Sequence, residues 1–221
     1  AIIANPEMML LDEPTTGLDP IMMEFVDELI RQIKERFGLT SVIISHDMAS
    51  TFRLANTIAV LHDGKIIAHD TPEVIKQSED ERVARLIFAS DKTAIDAGEA
   101  EEEKASEEDA AEVLARAEAN AAVIIRDLHK SFDGRAVLKG IDLTAPMHKI
   151  TVLIGGSGSG KSVLMKHILG LFQPDSGSVN VLGENVLALD DRGLATLRTK
   201  IGMLFQHAAL FDSMSIEENV M

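Results

Sequence analysis

The sequence predicts an α/β fold with a largely parallel sheet, and three observations support this prediction. Short apolar runs of strand length alternate along the chain with segments of helical spacing. A glycine-rich loop at residues 155–162 lies between one such run and a helical segment. Two further apolar runs, 8–11 and 40–45, each lead into polar side chains, as strands do where ligands bind at the edge of a parallel sheet.

The pattern of the first 90 residues predicts a helix between two buried strands, followed by a hairpin. The helical segment places Phe25, Leu29 and Ile33 on one face and stops at Gly38, a typical helix end. The hairpin is indicated by the two-residue turn Asp63-Gly64 between alternating apolar runs. The predicted elements are strand 8–11, turn 14–17, helix 21–37, strand 40–45, hairpin strands 57–61 and 65–68, and helix 83–88.

From residue 122 onward, the chain alternates strands with a helix around the glycine-rich loop. A turn near Asp133-Gly134 separates the first two strands, and a buried strand runs directly into the loop. The sequence of this segment does not repeat that of the first 90 residues. The predicted elements are strands 122–127, 142–144 and 150–154, helix 162–171, and strands 178–182 and 201–205.

Between these parts, residues 91–122 have the composition of a solvated linker. They hold eleven acidic and three basic residues, are rich in Ala and Glu, and contain no aromatic side chain. Such a segment buries too little apolar surface to offset its ordering entropy, although part of it, 107–120, has helical character. We therefore expect three regions: a compact part at 1–90, an acidic linker at 91–122 and a second compact part at 123–221.

Composition excludes several classes of function. The net charge of −15 argues against a broad nucleic-acid-binding surface, so we expect no nucleic-acid partner. The absence of cysteine excludes disulfides, thiol catalysis and cysteine metal sites. No run approaches the roughly 18 apolar residues of a membrane span, so we expect no direct membrane crossing. No basic segment followed by an apolar one opens the chain, and its first residue is Ala1, which favours a fragment, a processed end or a rearranged chain.

The glycine-rich loop is the strongest functional signal, because GGSGSGKS fits the phosphate-binding pattern G-x-x-x-x-G-K-[ST] and lies between a strand and a helix. Glycines allow backbone N–H groups to turn toward phosphates, and the helix start adds positive potential. Lys161 would bind the β- and γ-phosphates, and the Ser162 hydroxyl would ligate Mg²⁺. The predicted nucleotide-binding residues of the loop are Gly155, Gly156, Ser157, Gly158, Ser159, Gly160, Lys161 and Ser162.

Carboxylates and a histidine follow the two buried strands of the first part. Asp12 and Glu13 end the first strand, where Asp12 would hold Mg²⁺ through water and Glu13 would act as general base on the attacking water. His46 ends the neighbouring strand and would contact the γ-phosphate at the same edge. Each pattern is also common at purely structural strand ends, so its meaning depends on the phosphate loop in the same chain.

Two further candidates are weaker. The amide oxygen of Gln206, after the strand 201–205, would reach Mg²⁺ or the attacking water. Phe132 would stack on the adenine ring or, alternatively, pack in the core.

Together these residues resemble an ATP-binding cassette (ABC) transporter ATPase, built on a P-loop NTPase core. The motifs that carry the resemblance are the glycine loop at 155–162, Gln206, LLDEP at 10–14, GLD at 17–19 and SHD at 45–47. The resemblance implies that the glycine loop is the Walker A motif and that Gln206 is the glutamine of the Q-loop. Asp12 would be the Walker B aspartate, Glu13 the catalytic glutamate and His46 the switch histidine, while Asp19 falls in the D-loop and Phe132 takes the place of the adenine-stacking aromatic residue.

A narrower resemblance is to the ATPase subunit of Mla-type transporters, also described as the toluene-tolerance type. It rests on residues 155–171, 205–220 and 61–75. This family moves phospholipids between bacterial membranes with a permease and a lipid-binding protein. The resemblance implies ATP and Mg²⁺ as cofactors, a transmembrane permease as partner and a peripheral position at the cytoplasmic face of the inner membrane.

The sequence departs from the family pattern in two ways. The part with the catalytic carboxylate (1–90, matching a C-terminal half) precedes the part with the phosphate loop (123–221, matching an N-terminal half), and no LSGGQ-like signature or helical subdomain is present. A tandem-protein fragment, a circular permutation and an incomplete reading frame would each produce this order. We expect the two parts to dock as one ATP-binding core with Asp12, Glu13 and His46 facing the loop. Because a second ABC ATPase domain would have to supply the signature motif, we expect Mg-ATP binding with near-background turnover.

Two other functions remain open. A soluble tandem ATPase of the ABC-F type, which binds ribosomes, also joins two cassettes by a charged linker, although an acidic linker is unsuited to contacting RNA. A small-molecule kinase would use the phosphate loop but would explain neither the LLDEP and SHD motifs nor Gln206.

Overall fold

The computed structural model describes residues 5–90 and 119–206, and for 88–90 only the backbone. Most of the predicted linker, including its helical part up to residue 118, and most of the 205–220 motif lie outside these ranges. The strands are β1 (Met8–Asp12), β2 (Thr40–Ile44), β3 (Thr57–His62), β4 (Lys65–Asp70), β5 (Ala121–Phe132), β6 (Arg135–Pro146), β7 (Ile150–Ile154), β8 (Ser176–Val181), β9 (Glu184–Asn185) and β10 (Ile201–Leu204). The helices are α1 (Pro20–Phe37), α2 (Met48–Leu54), α3 (Pro72–Lys76), α4 (Glu81–Ser90), α5 (Lys161–Ile168) and α6 (Asp191–Thr199), with a 3₁₀ turn at Val186–Ala188.

The main sheet has six strands in the order β10-β1-β2-β7-β3-β4. All neighbours are parallel except β3 and β4, which form the predicted hairpin. Strands from the two parts alternate: β1 and β2 lie between β10 and β7, and β7 lies between β2 and β3. The predicted docking of the two parts into one largely parallel sheet is therefore confirmed.

The central strands are apolar because both faces of the sheet are covered. Every residue of β2 and of β7 is buried, as expected for parallel strands with layers on both sides. In β1, Met8 and Leu10 face one side of the sheet, whereas Met9 and Leu11 face the other. The carboxyl ends of β1, β2 and β7 consequently meet at one edge of the sheet.

A second, antiparallel sheet in the order β6-β5-β8-β9 covers one of these faces. It was not predicted, and the sequence-based strands at 122–127 and 142–144 are only parts of the two twelve-residue strands β5 and β6. The predicted turn between them is present, with Asp133 and Gly134 both at positive φ. Irregular pairing interrupts the alternation of these strands, which explains why each appeared as a shorter run.

Helices cover both faces of the main sheet, but the apolar face predicted for α1 is only partly correct. Phe25 and Leu29 are 62% and 43% exposed, and α1 instead packs through Ile30 with Val26 and Ile33 partly buried. Helix α5 contributes Leu164, Met165 and Ile168 to the core that also joins the two sheets, and α1 to α4 pack on the opposite face of the main sheet. Helix α1 ends at Gly38, whose φ of 63° is accessible to glycine without strain. The helix predicted over 162–171 ends earlier, at Ile168, and the short helices α2, α3 and α6 were not predicted.

Candidate functional site

The phosphate loop joins β7 to α5, as predicted, and its backbone geometry requires glycine. A Cβ atom on Gly155 would lie 2.2 Å from the Leu61 carbonyl oxygen and 2.9 Å from Ser159 Oγ. Gly158 and Gly160 adopt φ of 75° and 110°, values that side chains disfavour. By contrast, nothing within 4 Å would meet a Cβ on Gly156. The loop is therefore a cradle packed tightly against the end of β3.

Lys161 is the buried cation of this loop, with 8% of its surface exposed. Its Nζ donates hydrogen bonds to the carbonyl oxygens of Gly155 (2.7 Å) and Gly156 (3.0 Å). Burial lowers the pKa of Lys161, while the charges of Glu13 and Asp12 act in the opposite direction. Because their charges act on Lys161, the carboxylates of Asp12 and Glu13 lie on the same side of the sheet edge as the loop.

Two serines of the loop differ in their surroundings. The hydroxyl of Ser159 is buried and has no hydrogen-bond partner among the described residues, whereas Ser162 is exposed at the first turn of α5. An exposed hydroxyl at this position is free to ligate a metal ion. Ser157 lines a small cavity of about 150 Å³ together with Gly155, Gly156 and His46.

Asp12 lies at the carboxyl end of β1, beside Ile44 of β2. Burial raises its pKa, and the neighbouring Glu13 raises it further, whereas Lys161 and Lys166 lower it. A carboxylate in this position is poorly solvated and gains from a nearby cation.

Glu13 connects the two parts of the chain at the site. Its Oε2 accepts hydrogen bonds from Gln206 Nε2 (2.9 Å) and Thr16 Oγ1 (3.0 Å), and His46 Nδ1 lies 3.3 Å away. The backbone of Glu13 has φ of 51°, an unfavourable value for a residue with a Cβ. Its N–H donates to the carbonyl of Ile44, which fixes this turn at the end of β1.

His46 lies two residues after the end of β2, and its side chain is 60% exposed. Because β1 and β2 are parallel neighbours, as predicted, the two strand ends place His46 beside Glu13 and at the mouth of the cavity next to Gly156. The imidazole can thus reach both the carboxylate and a group bound by the loop.

The structure brings Gln206 to Glu13 through its amide nitrogen. The predicted metal contact would use the amide oxygen, which this hydrogen bond leaves available. Asp19, the acid of the GLD motif, caps the N-terminus of α1 by accepting from the N–H groups of Ile21 and Met22.

Phe132 is the last residue of β5. Its ring makes an edge contact with Phe172, with centroids 5.4 Å apart, and Lys130 lies over it at 5.4 Å. With 37% of its surface exposed, the ring has a free area. The adjacent strand β6 contributes Val137 to a cavity of about 170 Å³ that is otherwise lined by residues 158–163.

Sequence reasoning missed three contacts of the site. Thr16 donates to Glu13, the carbonyl of Leu61 closes against Gly155, and Val137 packs beside Gly160. Only Thr16 had a sequence signal, because a hydroxyl three residues after a carboxylate in a turn is within reach of it. The other two depend on which strands pass the loop.

Part of the chain is similar to a known protein family. Residues 138–221 match the model of the ABC transporter family. This segment contains the whole glycine-rich loop and Gln206.

Curated relatives are ATP-binding proteins named for different transport systems. The chain is 38% identical over 95 residues to the "Probable ribonucleotide transport ATP-binding protein mkl" of Mycobacterium bovis, covering 43% of this chain and 26% of that protein. It is 41% identical over 104 residues to "Methionine import ATP-binding protein MetN 2" of Paraburkholderia xenovorans (45% and 27%). It is 38% identical over 87 residues to "Intermembrane phospholipid transport system ATP-binding protein MlaF" of Haemophilus influenzae (39% and 33%).

The chain thus spans about a quarter to a third of the length of these relatives. None of the helices in residues 5–90 and 119–206 is long and apolar enough to cross a membrane. The largely parallel α/β sheet and the match over residues 138–221 are consistent with the fold of a P-loop ABC ATPase.

Proposed function

We propose that this chain binds Mg-ATP at the edge of the main sheet and belongs to the ATP-hydrolysing subunit of an ABC transporter. The observation that carries the proposal is the hydrogen bond from Gln206 to Glu13 beside the phosphate loop. The proposal is also supported by the charge of Glu13, a residue of the first part of the chain, which acts on Lys161 of the loop in the second part.

The roles proposed for the residues follow from their positions. The backbone of 155–160 and Lys161 would bind the phosphates, with Lys161 exchanging its bonds to loop carbonyls for phosphate oxygens. Glu13 would accept a proton from the attacking water, and His46 would contact the terminal phosphate. Phe132 would stack on the base through its exposed area.

A magnesium ion fits the residues at this edge. Ser162 offers an exposed hydroxyl and Asp12 a poorly solvated carboxylate, and Mg²⁺ bound to a nucleotide uses one or two protein oxygens with phosphates and waters. The amide oxygen of Gln206 would be a further ligand. When bound, the ion would neutralise charge on the phosphates.

The proposed function requires this chain to assemble with other protein domains. We infer that residues 1–90 and 123–221 correspond to the C-terminal and N-terminal halves of one ATPase domain, joined by the linker 91–122. A second ABC ATPase domain would supply the signature motif, and a transmembrane permease would hold the complex at the cytoplasmic face of the inner membrane. The 221-residue chain by itself would bind Mg-ATP with little turnover, because donors from the second domain would stabilise the transition state.

A more specific proposal concerns the transported substrate: we propose that it is a phospholipid, as in transporters of the Mla type. It rests on residues 155–171, 205–220 and 61–75 and on the similarity to MlaF, while MetN and mkl are named for methionine and ribonucleotide transport. A ribosome-associated ABC-F ATPase is the alternative. Co-purification of the tagged chain with membranes and a permease would favour the first, and co-purification with ribosomes would favour the second.

The direct test is nucleotide affinity. Isothermal titration of the chain with Mg-ATP should give saturable binding, and Lys161→Ala should abolish it. Lys149→Ala is the matched control, because Lys149 is an exposed lysine that precedes β7 at the end opposite the loop. Equal affinity of the wild type and Lys161→Ala, or no binding by either, would refute the proposal.

A further inference from the structure

We infer that Asp27 is a positioning residue for His46, acting through a buried hydrogen-bond network that fixes the loop between β2 and α2. The inference rests on the proposed function, in which His46 contacts the terminal phosphate. It concerns a residue in the middle of α1, where the two residues that follow it, Glu28 and Leu29, are exposed.

Asp27 is a buried carboxylate, with 4% of its side chain exposed. Its Oδ1 accepts a 2.5 Å hydrogen bond from Ser50 Oγ, and its Oδ2 accepts from Arg53 Nε (2.9 Å) and Nη2 (2.7 Å). Burying a carboxylate is costly unless charged and hydroxyl donors satisfy it. All three donors come from α2, so Asp27 determines where α2 lies on α1.

Helix α2 in turn fixes the residue after His46. Asp47 caps the helix by accepting a 2.6 Å hydrogen bond from the N–H of Ser50, the same residue whose hydroxyl is bound to Asp27. Thr51 Oγ1 also donates to the carbonyl oxygen of Asp47 at 2.6 Å. The backbone on the carboxyl side of His46 is therefore tied to the Asp27 network.

The backbone on the other side of His46 is tied to the same network. The N–H of Asp47 donates to Ser45 Oγ at 3.0 Å, and Ser45 is itself buried at the end of β2. His46 thus lies between two fixed residues, while its own side chain is mostly exposed and lies 3.3 Å from Glu13. Moving α2 would swing the imidazole away from that carboxylate.

Asp27 also links the two helices that follow Glu13 and His46 in the chain. Helix α1 follows the turn that carries Glu13, Thr16 and Asp19, and α2 follows His46. Asp27 joins these helices, so the separation of Glu13 and His46 depends on it even though it contacts neither residue.

The test measures the Glu13–His46 contact in the nucleotide-free chain, so it is independent of ATP binding. In ¹H–¹³C spectra of the histidine Cε1–H groups, Glu13→Gln should shift the His46 signal and leave that of His129 unchanged. In an Asp27→Asn background, we expect the shift caused by Glu13→Gln to fall by at least half. In a Glu28→Gln background, which alters the exposed neighbour bound to Arg31, it should keep its full size.

Ser50→Ala is the second variant in case Asp27→Asn does not fold, because it removes one donor and leaves the Arg53 pair in place. It should reduce the shift by a smaller amount. An undiminished effect of Glu13→Gln on His46 in the folded Asp27→Asn chain, or in Ser50→Ala if the first is unfolded, would overturn the inference. So would the absence of any effect in the otherwise unaltered chain. Failure of the ATP titration above would refute the proposed function and leave this result intact.

Discussion

The amide nitrogen of Gln206 donates a 2.9 Å hydrogen bond to the carboxylate of Glu13, although 193 positions separate the two residues in the chain. Parallel pairing of β10 with β1 makes this contact possible, because the two residues follow the carboxyl ends of neighbouring strands. The carboxylate is thus oriented by a residue of the other part of the chain.

The first prediction concerns this carboxylate. Glu13→Gln should leave Mg-ATP affinity little changed and reduce hydrolysis by about 10²–10⁴-fold, because the amide cannot accept the proton of the attacking water. The measurement is phosphate release by an assembly of the chain with an ABC ATPase domain that carries the signature motif. Thr16→Ala removes one hydrogen bond but keeps the carboxylate, so its loss should be smaller. Equal turnover of Glu13→Gln and the wild type would contradict the role of Glu13.

The second prediction concerns the pH dependence of stability. Burial raises the pKa of Asp12 above its usual value of 3.8, so the folded chain binds a proton at Asp12 more readily than the unfolded chain. Ionised Asp12 therefore lowers stability at neutral pH. Asp12→Asn should increase the free energy of unfolding at pH 7, and the increase should fade as the pH falls through the raised pKa of Asp12. Urea denaturation between pH 8 and pH 3 measures this difference.

Asp175→Asn provides a comparison, because its expected effect on the free energy of unfolding at pH 7 has the opposite sign. Hydrogen bonds from Lys130 and from the N–H of Ser131 lower the pKa of Asp175. Its ionised form therefore adds stability that is present at neutral pH and is lost as the pH falls through the lowered pKa. Asp175→Asn should be less stable than the wild type at pH 7. The same sign of effect for both variants would contradict the electrostatic environment described for Asp12.

The third prediction concerns two adjacent glycines. Gly155→Ala would place a Cβ 2.2 Å from the Leu61 carbonyl, so it should cost about 1–3 kcal/mol of unfolding free energy. Gly156→Ala meets nothing within 4 Å and should stay within about 1 kcal/mol of the wild type. Urea denaturation of the two variants measures the contrast. Equal costs would show that the loop does not pack against the end of β3 as described.

The fourth prediction concerns the alternating strands. Residues 1–90 and 119–221, expressed as separate chains, should co-purify, and neither should unfold cooperatively alone, because each lacks the neighbours of its central strands. Val152→Asp, which buries a charge in β7, should abolish the association, whereas Arg192→Gln, which changes an exposed residue of α6, should not. A cooperative unfolding transition in either part alone would contradict the shared sheet.

The sequence was sufficient to predict the elements whose pattern is local. The strand at 150–154, the end of α1 at Gly38, the hairpin turn at Asp63-Gly64 and the meeting of β1 with β2 all follow from apolar runs and turn residues. Their signals need no knowledge of distant parts of the chain.

Other features depend on contacts that no local pattern records. Asp27 has the spacing of a surface residue in an amphipathic helix, and only the arrival of α2 buries it. The second sheet was missed because irregular pairing divides β5 and β6 into short runs. Likewise, the loop carbonyls that bind Lys161 are present in every peptide and carry no sequence signal.

The alternation of strands from the two parts also affects how the chain folds during synthesis. A ribosome releases β1 and β2 well before β7 and β10, so the two apolar strands emerge with both outer edges unpaired. Unpaired strand edges are prone to aggregate. Folding of the main sheet must therefore wait for the synthesis of β7 and β10, and the yield of native protein should depend on chaperones that shield the nascent strands.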